Sequence, residues 1–232
     1  MDKLYNEDCR KGMMNIVDNS IDLIITDPPY KTTSRGQAGN SGGMLQKDIN
    51  KKGQVFKHNN APIETWIDDL YRVLKDGGHC YIMTNHTNLK KYLNVAENAG
   101  FSFIKSLIWD KGNKIMGQYY MSQFEYILFF RKGKGVKINN CGTSDIIRIP
   151  NDKTKDSKGN NLHDTEKPVA LSDILIKNSS KEGDTVLDPF VGVGWVAISA
   201  KKLNRDFICY EIDKEPYEKA KRRLKNIKTS LI

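Results

Sequence analysis

The residues whose types and spacing best suit chemistry are Asp27-Pro28-Pro29-Tyr30, which directly follow the apolar run Ile21–Thr26. Two successive prolines fix φ and remove two backbone donors, so the chain turns rigidly off the end of a predicted strand. A carboxylate and a prolyl carbonyl held there can each accept one N–H of a conjugated amine, which localises the nitrogen lone pair for methylation. Tyr30 offers a face for an extruded base. The alternative is a simple strand-terminating turn.

A second turn, residues 188–194, lies between the apolar run 185–187 and a helical pattern. Its glycines let the backbone approach a ligand closely. Glu211 ends a later predicted strand, where a carboxylate can hold ribose hydroxyls. Asp188 places an anion beside the turn, which disfavours a pyrophosphate and suits the ammonium and sulfonium of S-adenosylmethionine. The sequence therefore predicts a cationic nucleoside cofactor here.

The elements that must position these turns alternate between strands and helices, which predicts an α/β fold with a mostly parallel, doubly wound sheet. Ligands bind such sheets at the carboxyl ends of the strands. The 232 residues are predicted to form a single domain. Strands are predicted at 21–26, 80–84, 103–109, 126–130, 185–187 and 207–210. Helices are predicted at about 62–75, 87–99, 166–179, 195–203 and 214–228.

The composition indicates a globular enzyme, with 38% hydrophobic and 28% charged residues. No apolar run approaches the ~20 residues that span a bilayer, and the first residues lack the apolar stretch of a signal peptide. We therefore expect a cytoplasmic protein without a membrane partner. The four cysteines form no C-x-x-C pair, and no histidines have metal-ligand spacing, so no metal site is predicted.

The net charge of +9 is concentrated in separate segments. Residues 31–60 carry six basic residues against one acidic residue, and residues 131–162 carry eight against three. Long polar segments of this kind favour a polyanionic partner over plain solvated loops, and predict DNA-contacting loops. The basic residues predicted to contact DNA are Lys31, Arg35, Lys47, Lys51, Lys52, Lys57, Arg131, Lys132 and Lys134.

Together the two turns resemble the catalytic and cofactor motifs of the amino-methyltransferases of restriction–modification systems. Their order, with the catalytic motif first, resembles the circularly permuted β group of that family. Further family-like segments follow in the expected sequence at 6–9, 74–78, 109–111, 125–128 and 163–168. The resemblance covers nearly the whole chain. It implies a class I S-adenosylmethionine-dependent methyltransferase fold with an antiparallel hairpin, and methylation of adenine N6 in a short duplex DNA site.

The resemblance also implies roles for individual residues. Asp27, Pro28 and Tyr30 correspond to the family's positions for catalysis and base capture. The positions implied for binding S-adenosyl-L-methionine are Asp8, Lys167, Asp188, Phe190, Gly192, Gly194 and Glu211. Double-stranded DNA is the implied partner, and a homodimer is a family-level expectation because dimerisation is common in the β group.

Three alternatives stay open at this point. Cytosine N4 could be the target, although Asp27 is linked more often with adenine, which stacks over a larger area and pairs less tightly. A catalytically silent DNA-binding subunit could keep the same fold, since Val193 and Trp195 stand where the family often has Ser and Thr. An RNA or protein-glutamine methyltransferase is the weaker option, since the latter group has Asn before Pro-Pro-Tyr.

Overall fold

One eight-stranded sheet, in the order β1-β8-β7-β2-β3-β5-β4-β6, organises the part of the chain that the structure describes. The structure is a computed structural model, and it describes residues 2–29, 61–115, 119–152 and 166–227. Within these ranges every pair of neighbouring strands is parallel except the two pairs that include β5. The expected mostly parallel sheet with an antiparallel hairpin is confirmed.

The elements have the following bounds. The strands are β1 (Lys3–Tyr5), β2 (Ile21–Thr26), β3 (Leu74–Thr84), β4 (Ser102–Ile115), β5 (Ser122–Arg131), β6 (Ile146–Arg148), β7 (Thr185–Asp188) and β8 (Asp206–Tyr210). The helices are α1 (Cys9–Gly12), α2 (Ile67–Val73), α3 (Leu89–Asn98), α4 (Val169–Ser179), α5 (Trp195–Lys202) and α6 (Lys214–Lys225). None of these helices combines the length and apolar character that a bilayer-spanning segment needs.

Alternate residues of the central strands enter two different hydrophobic cores. In β2, Ile24 faces a core closed by α2 and α3, while Leu23 and Ile25 face a core closed by α4 and α5. Ile21 joins the first core because the pairing of β2 with β3 is irregular between Ile21 and Leu23. Side chains of a strand point to opposite faces in turn, so a strand covered on both faces must be apolar at almost every position. That requirement explains why Leu23, Ile24 and Ile25, which predicted β2, are consecutive apolar residues.

The pairing of β2 with β7 places the two predicted turns side by side. Leu23 lies opposite Val186, and Ile24 lies opposite Leu187. The chain leaves β2 toward β3 on one side and leaves β7 toward β8 on the other. The strand order therefore reverses between β2 and β7, and a crevice forms at such a point, outside the carboxyl ends of the strands. We call this side of the sheet the carboxyl edge, and the opposite side the amino edge.

Two short strands are absent from the sequence-based prediction. The sheet ends in β1 on one side and β6 on the other, each three residues long. Ile147 of β6 is buried, and the strand pairs in parallel with β4. Part of the segment 131–162 is therefore sheet, although the whole segment was predicted to be a DNA-contacting loop. A three-residue strand is too short to show periodicity in the sequence.

The three basic residues predicted to contact DNA at 131–134 lie at the amino edge, away from the crevice. Arg131 ends β5 opposite His79, near the start of β3. Lys132 is only 7% exposed, and its ammonium donates to Asn19 Oδ1 at 2.7 Å and to the carbonyl of Leu74 at 2.8 Å. Lys132 thus stabilises the chain internally instead of facing a phosphate, which corrects the expectation for this residue.

We predict that Lys132→Met lowers the free energy of unfolding by about 1–3 kcal/mol, because buried oxygens would lose their charged donor. Urea unfolding followed by circular dichroism measures this change. Lys134→Met at an exposed neighbouring position is the matched control and should stay within about 0.5 kcal/mol of wild type. Equal stability of the two variants would contradict the internal role of Lys132.

Candidate active site

Asp27 leaves the end of β2 and enters a cavity at the carboxyl edge. Asp27 and Pro29 lie on the wall of this cavity, which has a volume of about 340 Å³. Pro28 is not part of the wall. Tyr30, the third residue implied for catalysis, lies outside the described residues. The structure therefore brings the carboxylate of the first turn to a cavity large enough for a small-molecule ligand, for which roughly 300–1,000 Å³ is typical.

Lys167 is bonded to Asp27, although the family resemblance implied a role in binding the cofactor. Its ammonium donates a hydrogen bond to Asp27 Oδ2 across 140 residues of sequence. The Lys167 side chain is 8% exposed and lies on the cavity wall. Burial by itself would lower the pKa of Lys167, but attraction to Asp27 and Glu125 outweighs burial and holds this pKa above its ordinary value. The lysine therefore stays charged next to the candidate catalytic carboxylate.

Two more charged residues complete a buried cluster that sequence reasoning missed. Glu125 Oε2 lies 3.5 Å from the ammonium of Lys167, and Glu125 Oε1 accepts a 2.9 Å hydrogen bond from Lys111. Burial would raise the pKa of Glu125, but its attraction to the two lysines lowers the pKa below its ordinary value. The cluster of Asp27, Lys167, Glu125 and Lys111 alternates in charge. The available signal was a pair of charged residues, Lys111 and Glu125, in segments that continue as apolar strands.

The second turn forms the opposite wall of the cavity. Gly192 has φ +56°, Gly194 has φ +94°, and a Cβ at Gly194 would lie 3.1 Å from the Cβ of Ala220. The backbone N–H of Gly192 donates to Glu211 Oε2 at 3.0 Å, so the carboxylate expected to hold a ribose also fixes the turn. Gly192 and Glu211 lie on the cavity wall, whereas Gly194 is packed at the start of α5.

Asp8 and Phe190 lie on the cavity wall as well. Asp8 begins α1 and is paired with Arg10 at 2.6 Å, and hydrogen bonds from Arg10 hold the pKa of Asp8 below its usual range. The Phe190 ring meets Trp66 edge-on, with 5.4 Å between the ring centroids. Trp66 itself is buried in the core. The wall thus combines an aromatic face with acidic groups, including Glu7 and Asp213.

Asp188 lies behind the cavity wall instead of on it. The residue is 0% exposed, and its Oδ1 accepts a 3.0 Å hydrogen bond from the backbone N–H of Phe190. Burial raises the pKa of Asp188 to about 8, despite that hydrogen bond. The carboxyl is therefore mostly protonated near neutral pH, which corrects the expectation of an anion facing the ligand. In the structure, Asp188 stabilises the turn through its hydrogen bond with the backbone N–H of Phe190.

Val193 and Trp195, which differ from the family's usual hydroxyl residues, are both buried and both border the cavity. Trp195 is the first residue of α5 and packs in the core between α4, α5 and the sheet. Its carbonyl accepts a 3.1 Å hydrogen bond from the Ser172 hydroxyl. The indole is therefore accommodated with the cavity still present beside it.

Six basic residues expected to contact DNA lie outside the described residues. They are Lys31, Arg35, Lys47, Lys51, Lys52 and Lys57. The residues at the two ends of this segment, Pro29 and Ala61, both border the cavity. The segment 30–60 is thus attached to the candidate site at both of its ends. In the described part of the chain, no group of three or more His, Cys, Asp or Glu side chains could hold a metal ion.

The buried carboxyl of Asp188 generates a pH-dependent prediction. Its folded-state pKa lies above that of an unfolded aspartate, so ionisation increasingly disfavours the folded chain as pH rises from about 4 to 8. Asp188→Asn keeps an oxygen for the Phe190 N–H and does not ionise. We expect the stability of wild type relative to this variant to fall by roughly 1.4 kcal/mol per pH unit in that window.

Chemical unfolding of both proteins at a series of pH values measures this slope. The quantity compared is the difference in unfolding free energy between the two proteins, followed as a function of pH. An effect of the Asn side chain on stability that is the same at every pH does not alter this slope. Asp152→Asn, at an exposed position, is the control and should show no such trend. A flat difference between wild type and Asp188→Asn would show that Asp188 is ionised in the folded chain throughout.

Comparison with known proteins places this geometry in a family. The family model described as DNA methylase matches residues 21–222. The chain is 31% identical over 239 residues to Type II methyltransferase M2.DpnII of Streptococcus pneumoniae, a match that covers 95% of this chain and 88% of that protein. It is 27% identical over 249 residues to Type II methyltransferase M.HinfI of Haemophilus influenzae, covering 98% and 69% respectively.

Solved structures share the fold. The complex of M1.HpyAVI with SAM aligns with a TM-score of 0.70 at 24% identity, over 97% of this chain and 100% of that chain. The cytosine-N4-specific PvuII DNA methyltransferase aligns with a TM-score of 0.73 at 16% identity, over 97% and 88%. Since the family model spans both turns that form the cavity, the chain belongs to the DNA methylase family, whose members methylate adenine N6 or cytosine N4.

Proposed function

We propose that this chain transfers a methyl group from S-adenosyl-L-methionine to adenine N6 in a short duplex DNA site. The observation that carries the proposal is the shared cavity, whose wall includes Asp27 and Pro29 of the turn after β2 and Gly192 of the glycine turn after β7. One turn suits an amine and the other a nucleoside cofactor. Membership of the DNA methylase family supports the same reaction.

The chemistry of the cavity wall fits the cofactor. S-adenosyl-L-methionine supplies an electrophilic methyl group and carries positive charge on its sulfonium and its ammonium. Glu7, Asp8, Glu211 and Asp213 give the wall an acidic character that suits these charges. Phe190 offers an aromatic face, and Gly192 leaves the backbone close to the ligand. The acidic groups on the wall take over the electrostatic role that sequence reasoning gave to Asp188.

Asp27 acts on the target amine. A carboxylate has about four lone-pair sites, so Asp27 can accept an amine N–H while it stays bonded to Lys167. A prolyl carbonyl of the same turn is expected to be the second acceptor, and two acceptors together would turn the nitrogen lone pair away from the base ring. Asp27 is also placed to accept the proton that the nitrogen loses when it gains the methyl group. Tyr30 supplies the stacking surface.

The carboxyl edge is the side on which DNA would approach. Lys114 and Arg148 are exposed there, and the Arg148 guanidinium pairs with Asp110 at 2.9 Å. Tyr120 of the β4–β5 hairpin is 94% exposed on the same side. Pro29 and Ala61, which flank the segment 30–60, border the cavity, and the sequence of that segment carries six basic residues. Cations around a site and exposed aromatic rings suit a duplex that must release a base. Dimerisation stays a prediction.

The target base is decided by the product. DNA from a host that expresses the chain, digested to nucleosides and analysed by mass spectrometry, should contain N6-methyladenine. Sequencing that detects modified bases then identifies the methylated site. If N4-methylcytosine is the only product, the adenine assignment is wrong while the role of Asp27 survives. The isosteric variant Asp27→Asn, which should still bind the cofactor in calorimetry, is the control and should yield no product.

Affinity for DNA should depend on salt mainly through residues 31–60. If about six basic residues meet phosphates, the slope of log affinity against log salt is roughly −5. Replacing Lys47, Lys51, Lys52 and Lys57 with Gln should make this slope shallower by roughly three units. Fluorescence anisotropy of a labelled duplex at several salt concentrations measures it.

The matched control for this experiment replaces four lysines at the amino edge. They are Lys75, Lys134, Lys137 and Lys181, all of which are exposed. The charge removed is the same, so a general loss of positive charge would affect both quadruple variants equally. A slope that changes as much in the control as in the 31–60 variant would contradict an approach of DNA from the carboxyl edge.

A further inference from the structure

The buried cluster of Asp27, Lys167, Glu125 and Lys111 presents a hydrogen-bond acceptor and a donor side by side. Asp27 offers carboxylate oxygens, and the ammonium of Lys167 is in hydrogen-bonding contact with them. Both groups are on the cavity wall, although they are 140 positions apart in the sequence. The fold therefore builds a two-atom pattern, acceptor next to donor, at the point where the target amine must lie.

The edge of an amine-bearing base has the complementary pattern. In adenine the N6 amine lies next to N1, and in cytosine the N4 amine lies next to N3, and both ring nitrogens are acceptors. An amine that donates to Asp27 consequently brings its neighbouring ring nitrogen to the ammonium of Lys167. Resting on the proposed function, we propose that Lys167 is a specificity-determining residue that donates a hydrogen bond to the ring nitrogen beside the target amine.

Lys167 has a donor available for this contact. An ammonium has three protons, and the carboxylates paired with Lys167 among the described residues are those of Asp27 and Glu125; the Trp109 ring centroid lies 6.0 Å from the same ammonium. Glu125 is itself held by Lys111 at 2.9 Å, which fixes the far side of the cluster. Because Lys167 remains charged while buried, its bond to a neutral ring nitrogen is charge-assisted and stronger than a neutral one. Lys111 reaches Glu125 and is a positioning residue.

The same pair of groups excludes the other two bases. Thymine and guanine each present a carbonyl oxygen next to a ring N–H. With either of them in the site, oxygen would face the carboxylate of Asp27, and N–H would face the ammonium of Lys167. A buried site whose polar groups are mismatched rejects a ligand more strongly than one that only lacks a contact. The cluster thus selects bases whose Watson–Crick edge has an amine next to a ring acceptor. Adenine and cytosine have this edge, whereas the guanine N2 amine lies next to N1–H on its Watson–Crick edge.

Substrate analogues test the contact without changing the protein. In a duplex with the methylated sequence, the target adenine is replaced by 1-deazaadenine, which keeps the amine and lacks N1. The control is 7-deazaadenine, which keeps the whole amine-and-N1 edge. We expect wild type to lose roughly 10- to 100-fold in kcat/KM with 1-deazaadenine and to change little with 7-deazaadenine, as for loss of a charged hydrogen bond. Equal rates with both analogues would overturn the proposal.

A cycle with protein variants assigns the contact to Lys167. Lys167→Met should lower the rate with adenine and bring the adenine to 1-deazaadenine ratio close to one. Lys111→Met removes the other buried ammonium and should keep the wild-type ratio, even where the rate itself falls. If Lys167→Met keeps the wild-type ratio between the rates with adenine and 1-deazaadenine, Lys167 only positions Asp27. That result would overturn the proposal.

The contact between Lys167 and the base is tested by DNA affinity as well as by reaction rate, because the affinity does not depend on methyl transfer. Affinities of wild type for the adenine and 1-deazaadenine duplexes, with a non-reactive S-adenosylmethionine analogue present, should differ in the same direction as the rates. If the product analysis assigns cytosine, 3-deazacytosine replaces 1-deazaadenine, and the same ratios are expected. A failure of the adenine assignment is thereby distinguished from a failure of the contact by Lys167.

Discussion

The parallel pairing of β2 with β7 is the constraint on which the site depends. It joins a strand near the start of the chain to one near its end, through Leu23 opposite Val186 and Ile24 opposite Leu187. Because strand order reverses there, the turns that follow the two strands share one crevice. Neither turn alone forms a pocket. The cavity exists because strand pairing brings the turn proposed to bind the amine and the turn proposed to bind the cofactor to the same edge of the sheet.

Charge in this cavity is arranged in two groups. The wall has acidic residues such as Asp8 and Glu211, whose carboxylates already accept hydrogen bonds from the protein and lie where a cationic ligand would be. Elsewhere, Asp27 and Glu125 alternate with two lysines, and Asp27 and Lys167 belong to the same cavity wall. Removing one partner from a buried ionic cluster leaves an uncompensated charge. The four residues are therefore expected to behave as a unit, with the orientation of Asp27 depending on residues far away in sequence.

The sequence predicted the fold and the two turns because both have strong local signals. The runs at Ile21–Thr26 and 185–187 are apolar at nearly every position, and proline and glycine punctuate their ends. The roles of Lys167 and Lys132 could not be read in the same way. Each depends on which side chains arrive from distant strands, and a lysine in a polar segment looks the same whether it faces DNA or a buried carbonyl. Asp188 was misread for a related reason, since burial rather than residue type sets its charge.

The joining of early and late strands has a consequence for how the chain acquires its structure. During synthesis β2 can pair only with β3 until residues 185–188, which form β7, leave the ribosome. In the same way, β1 has no strand to pair with until β8 (Asp206–Tyr210) has been made. Contacts of such sequence separation make folding slow. An apolar strand that lacks one neighbour is open to pairing with other chains. We therefore expect nascent chains that stop before β7 to need chaperone protection, and the cavity beside Asp27 to form only after β7 has been made.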